Sequence, residues 1–159
     1  MSEKQHQKTV RGFDVQRADL KGRWLIEASA GTGKTYALER IVLRLVIEKG
    51  MSIERILVVT FTNAATAELR ERVRSLFHKA AEVLRLGDET SEFISFFEKS
   101  RRCGFDPQER IEQALEHFDE ASILTIHGFC QKMLSEFIFT RGGAFDVEFS
   151  GNTGLEILE

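Results

Sequence analysis

The run Ala28-Ser29-Ala30-Gly31-Thr32-Gly33-Lys34-Thr35 constrains this chain more than any other stretch. It matches the phosphate-loop pattern, with Ala28 where the strict pattern has glycine. Before it, Trp24-Leu25-Ile26-Glu27-Ala28 is a short apolar run ending in small residues, which suits a buried strand. After it, Leu38, Ile41, Val42 and Leu45 recur on one helical stripe, with Glu39, Arg40 and Arg44 off it, and Gly50 stands where that helix would end. Strand, glycine-rich turn and helix in that order suit an anion. The glycines let successive backbone N–H groups converge with no side chain in the way, and the helix start adds its positive dipole end. Lys34 offers a charge to the β- and γ-phosphates, and Thr35 offers a hydroxyl to Mg²⁺. Residues 28–35 are therefore expected to hold a nucleoside triphosphate with magnesium. The loop alone does not choose between a kinase, a GTPase and a motor.

The rest of the chain continues the α/β pattern. Ile56-Leu57-Val58-Val59-Thr60-Phe61 is apolar and β-branched, as expected of a strand covered on both faces of a parallel sheet. Asn63 is expected to cap the next helix, with Leu69, Val73, Leu76 and Ala80 as its buried stripe. Strand-helix repetition predicts right-handed βαβ units. Between 88 and 120 the pattern breaks into a helical insertion. Phe93, Ile94, Phe96 and Phe97 suggest one short helix. Asp106-Pro107-Gln108-Glu109 is a start signal for another, with Ile111, Ala114, Leu115 and Phe118 as its apolar stripe. Ser122–Ile126 reads as a third strand, and Phe129, Met133, Leu134, Phe137 and Ile138 mark a further helix, with Phe129 in its core. Phe145, Val147 and Phe149 alternate as in a strand. The expected division is an N-terminal arm over 1–20, a phosphate-loop unit over 21–87, the insertion over 88–120, a strand and helix over 121–140, and the start of a following segment over 141–159.

Composition excludes little. The chain has 159 residues, of which 42% are hydrophobic, enough for one core. No apolar run is long enough to cross a membrane, and the polar N-terminus lacks the apolar region of a signal peptide, so the cytoplasm is the expected location. Cys103 and Cys130 lack metal-ligand spacing and read as reduced, partly buried thiols. The net charge of −3 provides no global attraction for nucleic acid. Arg70, Arg72, Arg74, Lys79 and Arg85 cluster on one predicted helix; composition favours a solvated helix face there at least as much as a local basic face.

Two further motifs follow the phosphate loop in order. Thr60-Phe61-Thr62-Asn63-Ala64-Ala65-Thr66-Ala67-Glu68-Leu69-Arg70 resembles motif Ia of the superfamily 1A DNA helicases, the UvrD/Rep group, and Thr125-Ile126-His127-Gly128-Phe129-Cys130 resembles the motif that follows it there. The resemblance covers about residues 20–140. It implies an ATP-hydrolysing motor with a partial RecA-like parallel sheet, helicase domain 1A, in which Phe61, Thr62, Asn63 and His127 contact single-stranded DNA. The physics is compatible. Loops at the C-terminal ends of parallel strands face the ligand crevice. An aromatic there stacks on any base, worth ~1–3 kcal/mol, while Thr, Asn and His reach phosphates. Bland readings stand beside these: Phe61 as core, Asn63 as a helix cap, His127 as structural. His6, His78 and His117 receive no role. Within the group, the wording around Leu25–Thr35 and Ile126–Gln131 is most similar to the RecB type, the beta subunits of exodeoxyribonuclease V, with the AddA type a close competitor. That similarity implies work on DNA ends in double-strand-break repair and recombination, partner subunits of the RecC and RecD kind, and a nuclease activity in the whole protein.

Some parts such a motor needs are not found. Asp119-Glu120 precedes a strand instead of ending one, so it is rejected as the magnesium-binding acid pair. Gln16 is an adenine-reading candidate by rough spacing alone. Transition-state arginines, a second RecA-like domain and a nuclease domain are absent, and the chain reads as the N-terminal piece of a longer protein, with apolar sheet edges that need partners. Two other classes remain open. A small P-loop kinase would use Arg101-Arg102 in a lid but leaves Phe61–Leu69 unexplained. A stand-alone nucleotide- or DNA-binding module would bind without turnover.

Overall fold

The computed structural model describes residues 12–27, 29, 31 and 33–140, with only the helix backbone described at 138–140. The expectations for residues 1–11, for Ala28, Ala30 and Thr32, for the side chain of Ile138 and for Phe145, Val147 and Phe149 lie outside the described residues.

Helix α1 (Lys34–Lys49) starts and stops on glycine: Gly33 and Gly50 both adopt the left-handed conformation, with φ 89° and 63°. At Gly50 the requirement is also steric, because a Cβ there would lie 2.6 Å from the ring of Phe105. A single 3-10 turn (Ile53–Arg55) leads into β1 (Leu57–Thr60). Helix α2 (Asn63–Leu86) follows, then α3 (Ile94–Arg102) and α4 (Pro107–Glu116). A second 3-10 turn (Phe118–Glu120) precedes β2 (Ser122–Thr125), which runs into α5 (Ile126–Thr140). The two strands are parallel, in register from Leu57 opposite Ser122 to Thr60 opposite Thr125. Parallel pairing demands a long crossover, and α2, α3 and α4 supply it.

The core is built mainly by helices. Phe77 of α2, Phe96 and Phe97 of α3, Ile111 of α4, Phe118, and Leu43 and Ile47 of α1 are all at most 1% exposed. Burying each of these side chains contributes about 1.5–3 kcal/mol. Phe77 and Phe118 meet edge to face at 6.5 Å between centroids. Residues 88–120, expected as an insertion, thus share one core cluster with α1, α2 and the strands. Asp106 starts α4 as its sequence suggests, its carboxylate accepting from the Gln108 amide at 3.0 Å with Pro107 in the first turn.

Several expectations are corrected. Trp24–Glu27 makes no strand among the described residues, and Trp24 and Leu25 are 59% and 72% exposed. An apolar run becomes a buried strand only where neighbours pair with it and cover it, and the described sheet is β1 with β2 alone. β1 is covered on one face: Val58 is buried while Leu57 and Val59 point outward. Helix α1 is buried nearly all round, including Glu39, Arg40, Arg44 and Glu48, whereas the expected stripe residues Leu38, Ile41 and Leu45 are only half-buried.

At Arg44 and Glu48 the cause lies in residues 14–18, and at Glu39 and Arg40 in Arg72 and Glu92. Arg44 donates Nη1 to the carbonyl oxygens of Val15 (2.6 Å) and Ala18 (2.9 Å), and pairs by Nε and Nη2 with the Glu48 carboxylate at 2.7 and 2.8 Å. Lys99 of α3 donates to the Gln16 carbonyl. The segment therefore roofs the side of α1 that periodicity assigned to solvent. Both cysteines are exposed, so they are not partly buried. No helix among the described residues is long and apolar enough to cross a membrane.

Candidate nucleotide and nucleic-acid site

Lys34 and Thr35 form the first turn of α1, directly after the left-handed Gly33 and close to Gly31, whose φ is 77°. The Lys34 ammonium bends back across the loop and donates to the Ser29 carbonyl oxygen at 2.9 Å. The Ala37 amide bonds the Gly33 carbonyl at 2.9 Å, so the helical ladder begins there and the start of α1 opens toward the loop. A cation held over a turn of positive-φ glycines at the start of a long helix is a donor set that fits a polyphosphate, and the Thr35 hydroxyl fits a magnesium ion.

Two clefts flank the loop. The larger, about 430 Å³, lies between Phe13, Val15, Ile26, Ser29, Lys34 and Tyr36. The smaller, about 190 Å³, lies between Lys34 and Thr35 on one side and Thr60, Ala65 and Glu68 on the other. Gln16 does not line the larger cleft, whereas Phe13 and Tyr36 do. Sequence reasoning missed both aromatics; the position of Tyr36 directly after Thr35 was the available signal. The Tyr36 ring carries the Arg40 guanidinium 3.2 Å from its centroid, and its hydroxyl donates to Glu92 at 2.8 Å. Burial, then the bond to Glu92, pushes the Tyr36 hydroxyl above its ordinary pKa. At Glu92 burial acts to raise the carboxyl, but hydrogen bonds from Arg40 and Tyr36, with the charges of Arg40 and Lys79, outweigh it and hold the group below the usual glutamate range.

The turn between β1 and α2 is tied by hydroxyls. Thr60 Oγ1 and Thr66 Oγ1 are 2.6 Å apart, and Thr66 donates to the Thr62 carbonyl at 3.0 Å. Thr62 is the N-cap of α2, its Oγ1 accepting from the Ala65 amide at 3.1 Å. Asn63, expected as the cap, is instead the first helical residue. Extended backbone at Thr62 (φ −126°) aims its side chain at the third amide of the helix, as a cap requires. Phe61, between the strand and this cap, is 86% exposed, so it is not core.

At the end of β2 the Gly128 amide donates to Thr125 Oγ1 at 3.0 Å, which draws the first turn of α5 close; a Cβ on Gly128 would lie 3.3 Å from that oxygen. His127 is exposed on this turn and Phe129 is half-buried. Because Thr60 pairs with Thr125, the turn of Phe61, Thr62 and Asn63 and the turn of His127 leave the sheet at the same end.

Arg70, Arg72 and Arg74 of α2 each engage a neighbouring group. Arg70 donates to the Ala121 carbonyl at 2.7 Å, Arg72 to Glu68 at 2.8 Å, and Arg74 to Asp119 at 3.4 Å while lying over the Phe118 ring. Asp119 and Glu120 occupy the 3-10 turn before β2, not a strand end. No cluster of metal-binding side chains occurs among the described residues.

Comparison with known proteins gives the family. The family model of the UvrD/REP helicase N-terminal domain matches residues 13–156. The chain is 40% identical over 147 residues to the RecBCD enzyme subunit RecB of Escherichia coli (strain K12), covering 84% of this chain and 12% of that protein. It is 38% identical over 139 residues to the RecBCD enzyme subunit RecB of Haemophilus influenzae, covering 78% of this chain and 11% of the relative. It is also 38% identical over 129 residues to that of Mycobacterium tuberculosis (strain H37Rv), covering 78% and 12%. The chain thus spans a small part of the length of these relatives. The match of that family model to residues 13–156 of the 159 shows that this chain belongs to the UvrD/REP helicase N-terminal domain family.

Proposed function

We propose that the chain is the nucleotide-binding, strand-gripping segment of an ATP-driven DNA helicase subunit of the RecB type, which moves along single-stranded DNA and acts at DNA ends in double-strand-break repair. The observation that carries this reading is that the β1–α2 connection touches both sites. Thr60 of β1 and Ala65 and Glu68 of α2 line the small cleft shared with Lys34 and Thr35, and the turn between them exposes Phe61. The proposed architecture is a P-loop NTPase with part of a RecA-like sheet, domain 1A, made of 21–87 and 121–140 around the inserted 88–120. RecC- and RecD-like partner subunits, and a nuclease activity in the whole protein, belong to the same proposal.

In this reading Lys34 neutralises the β- and γ-phosphates, Thr35 holds magnesium, and the start of α1 receives phosphate oxygens along with the loop 28–33. Bound magnesium–ATP supplies the phosphoanhydride bond whose hydrolysis drives stepping. Phe61 stacks on a base, and Thr62, Asn63 and His127 reach the backbone of the strand. Among the described residues neither strand ends in a carboxylate: Thr60 is followed by Phe61 and Thr125 by Ile126. The 159-residue chain is therefore expected to bind ATP without sustained turnover.

The test is titration of the chain with a fluorescent ATP analogue and with labelled oligo(dT). Lys34→Ala lowers nucleotide affinity about tenfold or more by removing a charge-assisted contact, and oligo(dT) affinity falls as salt rises. Sustained ATP hydrolysis lost in Lys34→Ala overturns the absence of turnover. Phosphate transfer to a small metabolite, without oligo(dT) binding, overturns the helicase reading in favour of a kinase.

A further inference from the structure

Glu39 stands one helical turn after Thr35 on the same face of α1. Its side chain is only 10% exposed, yet its cations are distant: Arg72 Nη1 lies 3.5 Å away and Arg40 Nη1 4.0 Å away. Charge-assisted hydrogen bonds are ordinarily about 2.7–2.9 Å. Arg40 is committed to Glu92. Arg72 gives its close contacts to a different carboxylate, placing both Nε and Nη2 2.8 Å from Glu68 Oε1. Glu68 is 61% exposed and lines the small cleft with Lys34 and Thr35. One guanidinium therefore stands between an exposed carboxylate on the phosphate-loop cleft and a buried carboxylate on the phosphate-loop helix, close to the first and loose on the second. A buried charge gains more from a close partner than an exposed one does, so the pairing that closes Arg72 on Glu39 is an accessible alternative.

We propose that Arg72 is a positioning residue that couples the phosphate loop to the Phe61 turn by exchanging its close partner between Glu68 and Glu39. The proposal rests on the reading that the loop takes magnesium–ATP and the turn takes single-stranded DNA. With the loop loaded, a magnesium ion held by Thr35 would add positive charge beside Lys34 in the cleft that Glu68 lines. Glu68 moving toward Thr35 releases Arg72, which closes on Glu39. Glu68 and Arg72 lie on the turns of α2 that follow the Thr62 cap, so the exchange shifts the start of that helix and Phe61 with it. Linkage makes the effect reciprocal: DNA on Phe61 changes nucleotide affinity by the same factor.

The experiment measures oligo(dT) affinity of the full chain by fluorescence anisotropy, with and without magnesium and a non-hydrolysable ATP analogue, and analogue affinity with and without oligo(dT). The wild type is expected to show a linkage of about fivefold or more in both directions. Arg72→Ala is expected to keep each separate affinity within about threefold and to bring the linkage below about twofold. Glu39→Gln, which leaves the exposed Glu68–Arg72 pair intact, is expected to lose the linkage in the same way, and it carries the test if Arg72→Ala does not fold. Linkage retained in a folded Arg72→Ala or Glu39→Gln overturns the proposal. A wild type that binds both ligands without linkage overturns the coupling and leaves the functional reading standing, whereas a wild type that binds neither overturns both.

Discussion

Thr60 and Thr125 are register partners at the last position of two parallel strands. Each shapes the turn that follows it: Thr60 through its contact with Thr66, and Thr125 by accepting from the Gly128 amide. The pairing sets the Phe61 turn beside the His127 turn although they are far apart in sequence, and the same end of the sheet borders the phosphate-loop cleft at Thr60.

Phe61 offers the sharpest check on the proposed nucleic-acid surface. At 86% exposure its ring contributes little to folding. Phe61→Ala is expected to weaken oligo(dT) binding by about 1–3 kcal/mol, the worth of one base–aromatic stack, with the melting temperature unchanged. Phe61→Trp is expected to keep the affinity. A clear fall in melting temperature for Phe61→Ala places the ring in the core instead.

The Arg44–Glu48 pair is buried on both sides, at 5% and 6% side-chain exposure. Removing one partner leaves a buried charge alone, so Glu48→Gln is expected to cost about 3–5 kcal/mol in urea unfolding. Arg44→Met with Glu48→Leu is expected to cost less than either single change, less the bonds Arg44 makes to Val15 and Ala18. Limited proteolysis reports this second loss, because residues 14–18 are held to α1 by those bonds.

Glu92 ties the expected insertion to the phosphate-loop helix through Arg40 and Tyr36. Its carboxyl is held below the usual glutamate range. A depressed carboxyl contributes stability that is complete above the unfolded glutamate value, about 4.3, and is lost as pH falls through the lower folded value. The melting-temperature gap between wild type and Glu92→Gln is therefore widest near neutrality and closes in acid below about pH 4.3. A gap constant across that window removes Glu92 from the acid response.

Gly50 and Gly87 separate strain from collision. Both are left-handed, with φ 63° and 68°, but an added Cβ meets Phe105 at 2.6 Å only at Gly50 and nothing within 4 Å at Gly87. Gly87→Ala is expected to cost about 1–2 kcal/mol, the backbone term. Gly50→Ala is expected to cost more, by the amount needed to displace Phe105, and thermal unfolding of the two variants measures the difference.

What the sequence by itself determined was local. The glycines at 33 and 50, the Asp106-Pro107 start and the apolar runs at 56–61 and 122–126 act within a few residues, through backbone conformation, capping and side-chain preference. Those elements lie where their signals are. The order of the motifs was legible for the same reason, since each is a contiguous string. What only the tertiary structure decided was which side of each element is covered. Arg44 lies off the apolar stripe of α1, yet residues 14–18 close over it and it pairs there with buried Glu48. Glu39 is buried although it lies off the apolar stripe, and Trp24 is exposed although it lies on an apolar run. Burial depends on chain arriving from distant positions, and periodicity carries no information about that chain. The relation between the two loops belongs to the same class: Phe61 and His127 share a surface because β1 and β2 pair in parallel, and that register is settled by a crossover of three helices packing on one core.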